Sequence, residues 1–265
     1  MSVSATPRPA VVFLHGIGGA ARVWERQLQT FTAAGLSAVA LDLPGYGGRD
    51  PVQTMDFEGL AADVEAAIDA RSLDRPMLVG HSMGGGVVQT MLRRRPDGYR
   101  AAVLACTSPA FGGSDGEFQR KFIGDRLGPL DAGKTMADLA PRLVDGMIGL
   151  AANAEARARA IDIMSAVPAD TYRAAVQCLV SFDERANLAK IAAPVLCLAC
   201  EKDPNAPAAM MERMAGKILG AKYTCLPGVG HLPNLEAPAA FDTAVLGFLR
   251  DCGLAPPLPR VLPAQ

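Results

Sequence analysis

The chain lacks an imbalance of charge: 26 lysines and arginines stand against 27 aspartates and glutamates, with the two signs interspersed. That distribution excludes the clustered cationic surface that nucleic acid requires. No uninterrupted apolar run reaches the roughly 20 residues of a membrane span. The N-terminus has no basic stretch followed by an apolar core, so a cytoplasmic chain with neither a membrane nor a nucleic-acid partner is expected. Six cysteines, at 106, 178, 197, 200, 225 and 252, fall mostly in apolar strand or helix patterns and read as small buried hydrophobes, not as a disulfide framework. Cys197 and Cys200 have the spacing of a metal pair, but on a strand residues three apart point to opposite faces, so no metal site is expected. No phosphate-cradling glycine loop stands out, and no cofactor is expected. Only three histidines are available for proton chemistry.

What the chain has is length and apolar content: 265 residues, 50% of them hydrophobic, enough for a substantial core in one α/β unit. Apolar runs at 10–14, 36–43, 76–81, 101–106, 194–200 and 222–226 read as strands. Helical patterns at 20–34, 56–71, 206–219 and 238–250, with another after residue 82, alternate with them as in parallel βαβ units. Between 111 and 190 the alternation stops, and amphipathic stretches such as 136–149 and 153–166 take over. A core split into 1–110 and 191–265 around a helical cap at 111–190 is therefore expected. The arginine run 93–95 ends the helix after residue 82, where cations suit the carbonyl end of the helix dipole.

The most informative stretch is Met77-Leu78-Val79-Gly80-His81-Ser82-Met83-Gly84-Gly85-Gly86. Gly80 and Gly84 flank Ser82 at the spacing of a sharp strand-to-helix turn, where a side chain on either flank would collide with its neighbours. Such a turn lifts the hydroxyl into a cleft. It also aims backbone N–H groups, led by that of Met83, at any oxyanion formed there, with the positive end of the helix behind them. A serine hydroxyl is a weak nucleophile and needs a base. His81 lies inside the turn and is expected to point away from the cleft, and His15 lies in a Gly-rich turn after the first strand. His231, in Gly228-Val229-Gly230-His231-Leu232-Pro233 after the last strand, is the best-placed base. The base in turn needs a carboxylate to hold its tautomer. Asp203, after the strand at 194–200, fits best, with Glu201 as the nearest competitor.

Ser82, Asp203 and His231 occur in the chain order of the α/β-hydrolase superfamily, and the chain resembles that family over nearly its whole length. His15-Gly16-Ile17-Gly18-Gly19 resembles the family's first oxyanion loop, and Leu41-Asp42-Leu43-Pro44-Gly45-Tyr46-Gly47 resembles its next strand-end turn. The resemblance implies an α/β-hydrolase fold: a mostly parallel central sheet flanked by helices, with the helical cap inserted. It also implies that the Ile17 N–H, or failing it that of Gly18, joins Met83 at the oxyanion. The branches it looks most like are small bacterial carboxylesterases, 3-oxoadipate enol-lactonase-like hydrolases and the pimeloyl-ACP methyl ester esterase type. Members commonly open with a β-hairpin, but only nine residues precede the first strand here, so that hairpin is expected to be shortened or absent.

The expected chemistry is cleavage of a small to medium, largely apolar ester by a serine nucleophile, with the ester or lactone and water as partners and the chain a monomer or homodimer. Enol-lactone opening or carbon–carbon hydrolysis on the same residues, and a non-catalytic receptor of the same fold, are the alternatives. The cap would shape the substrate pocket. Its candidates are Phe111, Met136, Met147 and Met164, with Gly18 and Leu232 from the core. Ile148, Leu179 and Phe118 are further candidates from the same segment. Residues 111–190 hold ten basic against eleven acidic side chains, which gives no cationic excess for docking an acidic carrier protein. The proline-rich tail, 253–265, forms no regular helix or central strand.

Overall fold

The central expected strands are runs of Val, Leu, Ala and Phe apolar on both faces, the pattern of a strand covered on both sides, whereas 222–226, Lys-Tyr-Thr-Cys-Leu, has the mixed pattern of an edge. In a computed structural model that describes residues 8–112 and 116–256, these runs pair as a six-stranded, wholly parallel sheet. The strands are β1 (Ala10–Leu14), β2 (Ser37–Leu41), β3 (Met77–His81), β4 (Ala102–Ala105), β5 (Val195–Cys200) and β6 (Lys222–Leu226), in the spatial order β2-β1-β3-β4-β5-β6. Among the described residues no antiparallel strand precedes β1. Residues 1–7, on which part of the hairpin expectation rests, lie outside them.

The strict alternation of side chains divides the core in two. Val12, Leu78, Leu104 and Cys197 face one apolar cluster. Phe13, Val79, Val103, Leu198 and Cys200 face the other. Cys197 and Cys200 thus point to opposite sides, as the strand argument required. The first cluster is covered by α2 (Phe57–Ala70), α3 (Met83–Arg94) and α8 (Ala208–Ala215). The second is covered by α1 (Glu25–Ala33) and α10 (Pro238–Asp251). The expected helix 20–34 begins as a tight 3-10 turn over Ala21–Trp24, and that at 206–219 stops at Ala215, before Gly216.

The arginines at the end of α3 do more than meet a helix dipole. Arg94 donates to Glu65 and Glu58, Arg95 to Asp69, and Arg93 to Glu58 and the buried Glu184, so the group staples α3 to α2.

Among the described residues between β4 and β5 lie four α-helices, α4 (Glu117–Asp131), α5 (Met136–Asp145), α6 (Ala154–Ser165) and α7 (Ala169–Leu179), and a 3-10 turn at Arg185–Lys190. A single antiparallel bridge between Ala110 and Asp183 closes the base of this insertion. Its tip returns to the sheet: the Ala151 N–H donates to Gly228 O at 3.1 Å and the His231 N–H to Met147 O at 2.8 Å. A short helix, α9 (Pro233–Glu236), follows that contact. Of the tail, the described part ends at residue 256, where Pro256 O accepts from Arg250 Nε at 3.0 Å. The remainder of the tail expectation, 257–265, lies outside the described residues.

Among the described residues no helix is long and apolar enough to cross a membrane.

Candidate active site

The strand order reverses at β1, with β2 on one side and β3 on the other. Open parallel sheets form their ligand crevice at the carboxyl ends of the strands flanking such a reversal. The turn after β1 and Ser82 after β3 stand at that crevice.

Ser82 adopts φ +52°, a conformation rare for a residue with a side chain. The surrounding backbone enforces it. A Cβ on Gly84 would lie 2.5 Å from Leu14 O and 2.8 Å from His15 O, and one on Gly80 would run into Gly84 O. The Ser82 N–H donates to Ala105 O at 3.0 Å, and its carbonyl accepts from the Thr107 hydroxyl at 2.8 Å and the Gly85 N–H at 2.9 Å. The bend is therefore locked from both neighbouring strands, and the hydroxyl is presented at a fixed point.

His231 Nε2 lies 3.0 Å from Ser82 Oγ, and its Nδ1 lies 2.8 Å from Asp203 Oδ2. The other Asp203 oxygen, Oδ1, accepts the N–H groups of Asn205 at 2.8 Å and Ala206 at 3.0 Å. Burial works against ionisation of Asp203, but the His231 contact and these donors outweigh it and hold the carboxyl below its usual range. Glu201 faces elsewhere, accepting the Gly228 N–H at 2.8 Å and pairing with Lys202.

The other two histidines are structural in their geometry. His15 is fully buried, its Nδ1 bonded to Gly16 O at 2.9 Å while Nε2 accepts the Leu43 N–H at 3.1 Å. Burial lowers its pKa, which suits this neutral tautomer. His81 is not turned wholly away from the cleft, because its ring reaches the cavity wall. Its Nε2–H donates to His231 O at 2.6 Å. Burial first, and His231 second, bring its pKa down to about 3, so it is a neutral strut for the loop that carries His231.

A second strut is Glu236, which the sequence reading missed. Its buried carboxylate accepts the N–H groups of Gly149 at 2.7 Å, Gly230 at 2.9 Å and Leu232 at 2.8 Å, tying the insertion and the His231 loop to one group. The signal for it is the one charged residue in a largely apolar stretch, 232–241.

The 15–19 turn is shaped by the Gly19 N–H bonded to Gly16 O at 2.9 Å and by the Tyr46 hydroxyl donating to Ile17 O at 3.0 Å. The N–H groups of Ile17 and Met83 have no hydrogen-bond partner among the described residues. That of Met83 is one of the orphan donors at the start of α3.

A cavity of about 50 Å³ opens beside Ser82. Of the expected lining residues, Gly18, Met147, Met164 and Leu232 border it, along with Ile17. Phe111 and Met136 do not. Phe111 is drawn into an aromatic group with Phe118 and Phe122, at centroid separations of 5.4 and 4.7 Å. Met136 opens α5 and is buried in the packing between helices and core. Ile148, Phe118 and Leu179 also lie outside the lining. Arg126 and Tyr172, which the sequence did not single out, border it instead.

Cys106, Asp203 and His231 place one donor atom each within 4.8 Å of one another. Burial pushes the Cys106 thiol well up, so it stays protonated and is a poor ligand. The other two groups are already paired with each other.

The alpha/beta hydrolase family model matches residues 11–244. The AB hydrolase superfamily protein YisY of Bacillus subtilis is 28% identical over 248 residues, covering 90% of each chain. The 3-oxoadipate enol-lactonase 2 of Acinetobacter baylyi is 24% identical over 246 residues, 92% of this chain and 89% of its own. Among solved structures, a hydrolase from Pseudomonas aeruginosa superposes with a TM-score of 0.82 at 28% identity, over 92% of this chain and 91% of that one.

Proposed function

This chain belongs to the alpha/beta hydrolase family, and from that membership we propose that it is a serine hydrolase cleaving carboxylic esters through an acyl-enzyme. The observation that carries the reading is the continuous path from Ser82 Oγ through the two nitrogens of His231 to Asp203, at 3.0 and 2.8 Å.

In this reading Ser82 Oγ attacks the ester carbonyl as His231 Nε2 takes its proton. Asp203 holds the Nδ1–H tautomer and stabilises the imidazolium that forms. The unpartnered N–H groups of Ile17 and Met83 receive the oxyanion, each donor contributing about 3 kcal/mol to the transition state. His231 then returns the proton to the leaving alcohol. A water molecule, deprotonated by the same nitrogen, releases the acid and restores Ser82. The helices between β4 and β5 act as the cap, and Met147 and Met164 bound the reacting carbonyl on that side. The reaction needs an ester and water and no cofactor.

The likeness to an enol-lactonase supports a second reading, opening of an enol-lactone by the same groups, since a lactone is an internal ester.

The test is hydrolysis of p-nitrophenyl esters from acetate to laurate, beside an enol-lactone, by the wild-type chain and Ser82→Ala. Turnover that falls by about 10⁴-fold or more in the variant, with its thermal midpoint retained, is the expected result. Full activity in Ser82→Ala overturns the assignment.

A further inference from the structure

The cavity beside Ser82 is lined mostly by apolar side chains and glycines, with His81, Tyr172 and Asn234 among its polar members and Arg126 as its one cationic side chain. The half-buried guanidinium of Arg126, from α4, forms part of its wall. Arg126 donates to the Tyr172 hydroxyl at 3.3 Å and lies 4.7 Å from the Phe122 ring centre. It forms no ion pair among the described residues. Its sequence neighbour Asp125 is held by Lys121 at 2.6 Å.

A second cavity, of about 150 Å³, lies beside the first and shares Arg126 and Met147 with it. It adds Lys134 and Arg142, neither of them ion-paired among the described residues. The acids at its rim are Asp125, which pairs with Lys121 at 2.6 Å and also feels Arg142 and Arg126, and Asp138, which accepts the Thr135 N–H at 2.8 Å and also feels Lys134. Arg126, Lys134 and Arg142 against Asp125 and Asp138 leave this cavity a small cationic excess, and Arg126 stands where it meets the cavity beside Ser82.

A guanidinium resting on an aromatic ring is a favourable contact that leaves most of its N–H groups available to an anionic ligand. Its planar fork matches a carboxylate, to which it offers two parallel hydrogen bonds. Tyr172, whose oxygen already accepts from Arg126, keeps its own proton for the same ligand. We propose that Arg126, assisted by Tyr172, is the specificity-determining residue for esters that carry a free carboxylate at the end remote from the scissile bond, such as half-esters of short dicarboxylic acids. The proposal rests on the serine hydrolase reading and replaces the expectation of a largely apolar substrate with an amphipathic one.

The test is the ratio of kcat/KM for monoethyl glutarate over ethyl valerate, and for 3-acetoxypropionate over propyl acetate, each pair matched in size. In the wild-type chain at least one ratio is expected to exceed about 10, because a hydrogen-bonded charge partner discriminates by roughly that factor or more. Arg126→Met is expected to bring that ratio to near one, mainly through KM for the anionic ester, and Arg126→Lys to restore part of it. The wild-type ratios need no variant and stand even if Arg126→Met does not fold. Turnover of the neutral esters with both ratios near one overturns the carboxylate proposal and leaves the hydrolase reading intact. If the wild-type chain turns over no ester and Ser82 resists an organophosphorus probe, the hydrolase reading falls and this proposal with it.

Discussion

Ser82, Asp203 and His231 reach one another from three loops at the carboxyl edge of a parallel sheet. Met147, Met164 and Arg126 reach the same cavity from a helical insertion that packs on the core through side chains, with a few backbone hydrogen bonds and the Glu236 carboxylate at its tip. The first group is positioned by backbone: strand register, a forced φ at Ser82, and N–H groups that fix the carboxylate. The second is positioned by side-chain packing, in which a methionine is free to face core or cavity with little change in energy. On the proposed function, chemistry that tolerates only errors of a few tenths of an ångström falls to the rigid edge, and substrate choice to the adaptable part. Variants on either side of that division should separate into losses of rate and changes of selectivity.

The largest effect belongs to the sheet edge. Asp203→Asn keeps the shape but presents His231 with a side chain that can hold the wrong tautomer. It should lower kcat for a p-nitrophenyl ester by about 10³- to 10⁴-fold while the fold survives. Glu201→Gln, two residues away but turned toward Gly228 and Lys202, should change kcat less than about twofold, the range expected of an exposed surface substitution. If the two variants exchange behaviour, the assigned acid is wrong and so is the account of the edge.

Glu236 sits on the seam between the two regions, so Glu236→Gln asks how far the insertion depends on the edge. The new amide has one acceptor oxygen in place of two, so if it still accepts from Gly149 and Gly230 its NH2 must face the Leu232 N–H. Leaving that donor unpaired should destabilise the chain by about 2–3 kcal/mol in urea unfolding. A His231 loop displaced by a fraction of an ångström should also lower kcat, by up to about 10²-fold. A stability loss with kcat unchanged would show that Glu236 holds the seam without positioning the base.

The same division governs what could be read from the sequence. The elbow was legible because two glycines are compulsory where a Cβ would strike the Leu14 and Gly84 carbonyls. His231 was legible because few histidines compete with it. Asp203 was not separable from Glu201 by spacing alone, since both follow β5. The turn decides between them, through the Lys202 N–H bonded to Val229 O at 2.8 Å and the Asp203 N–H bonded to Cys200 O. In the insertion, the helical pattern gave α5 and α6 to within a few residues, but an apolar residue on an amphipathic helix looks alike whether it faces cavity or core. Phe111 and Met136 were expected in the pocket for that reason and lie outside it. Arg126 passed unnoticed because one of several cations on a helix ordinarily marks a solvated face, and only the fold brings it to Tyr172 and the cavity.

The smallest effect concerns the neutral strut beneath His231. An unfolded His81 takes up its proton near pH 6.5, whereas the folded one resists until about pH 3. Below pH 6.5 the unfolded chain therefore binds more protons, and stability must fall as the pH falls. His15, also lowered by burial, contributes in the same direction, so wild-type chain alone does not isolate His81. Asp203 acts in a separate window: its depressed pKa adds stability above the ordinary carboxylate range, which is lost only as the pH drops toward its own value. His81→Gln keeps a donor for His231 O but cannot titrate. Between pH 6.5 and 5 its stability should decline less steeply than that of the wild-type chain, by up to about 1.4 kcal/mol per pH unit. Parallel slopes for the two proteins in urea unfolding would mean that His81 is charged in the folded state. The strut would then bring a positive charge up to the base it supports, and the backbone edge would no longer be the electrostatically quiet half of the molecule.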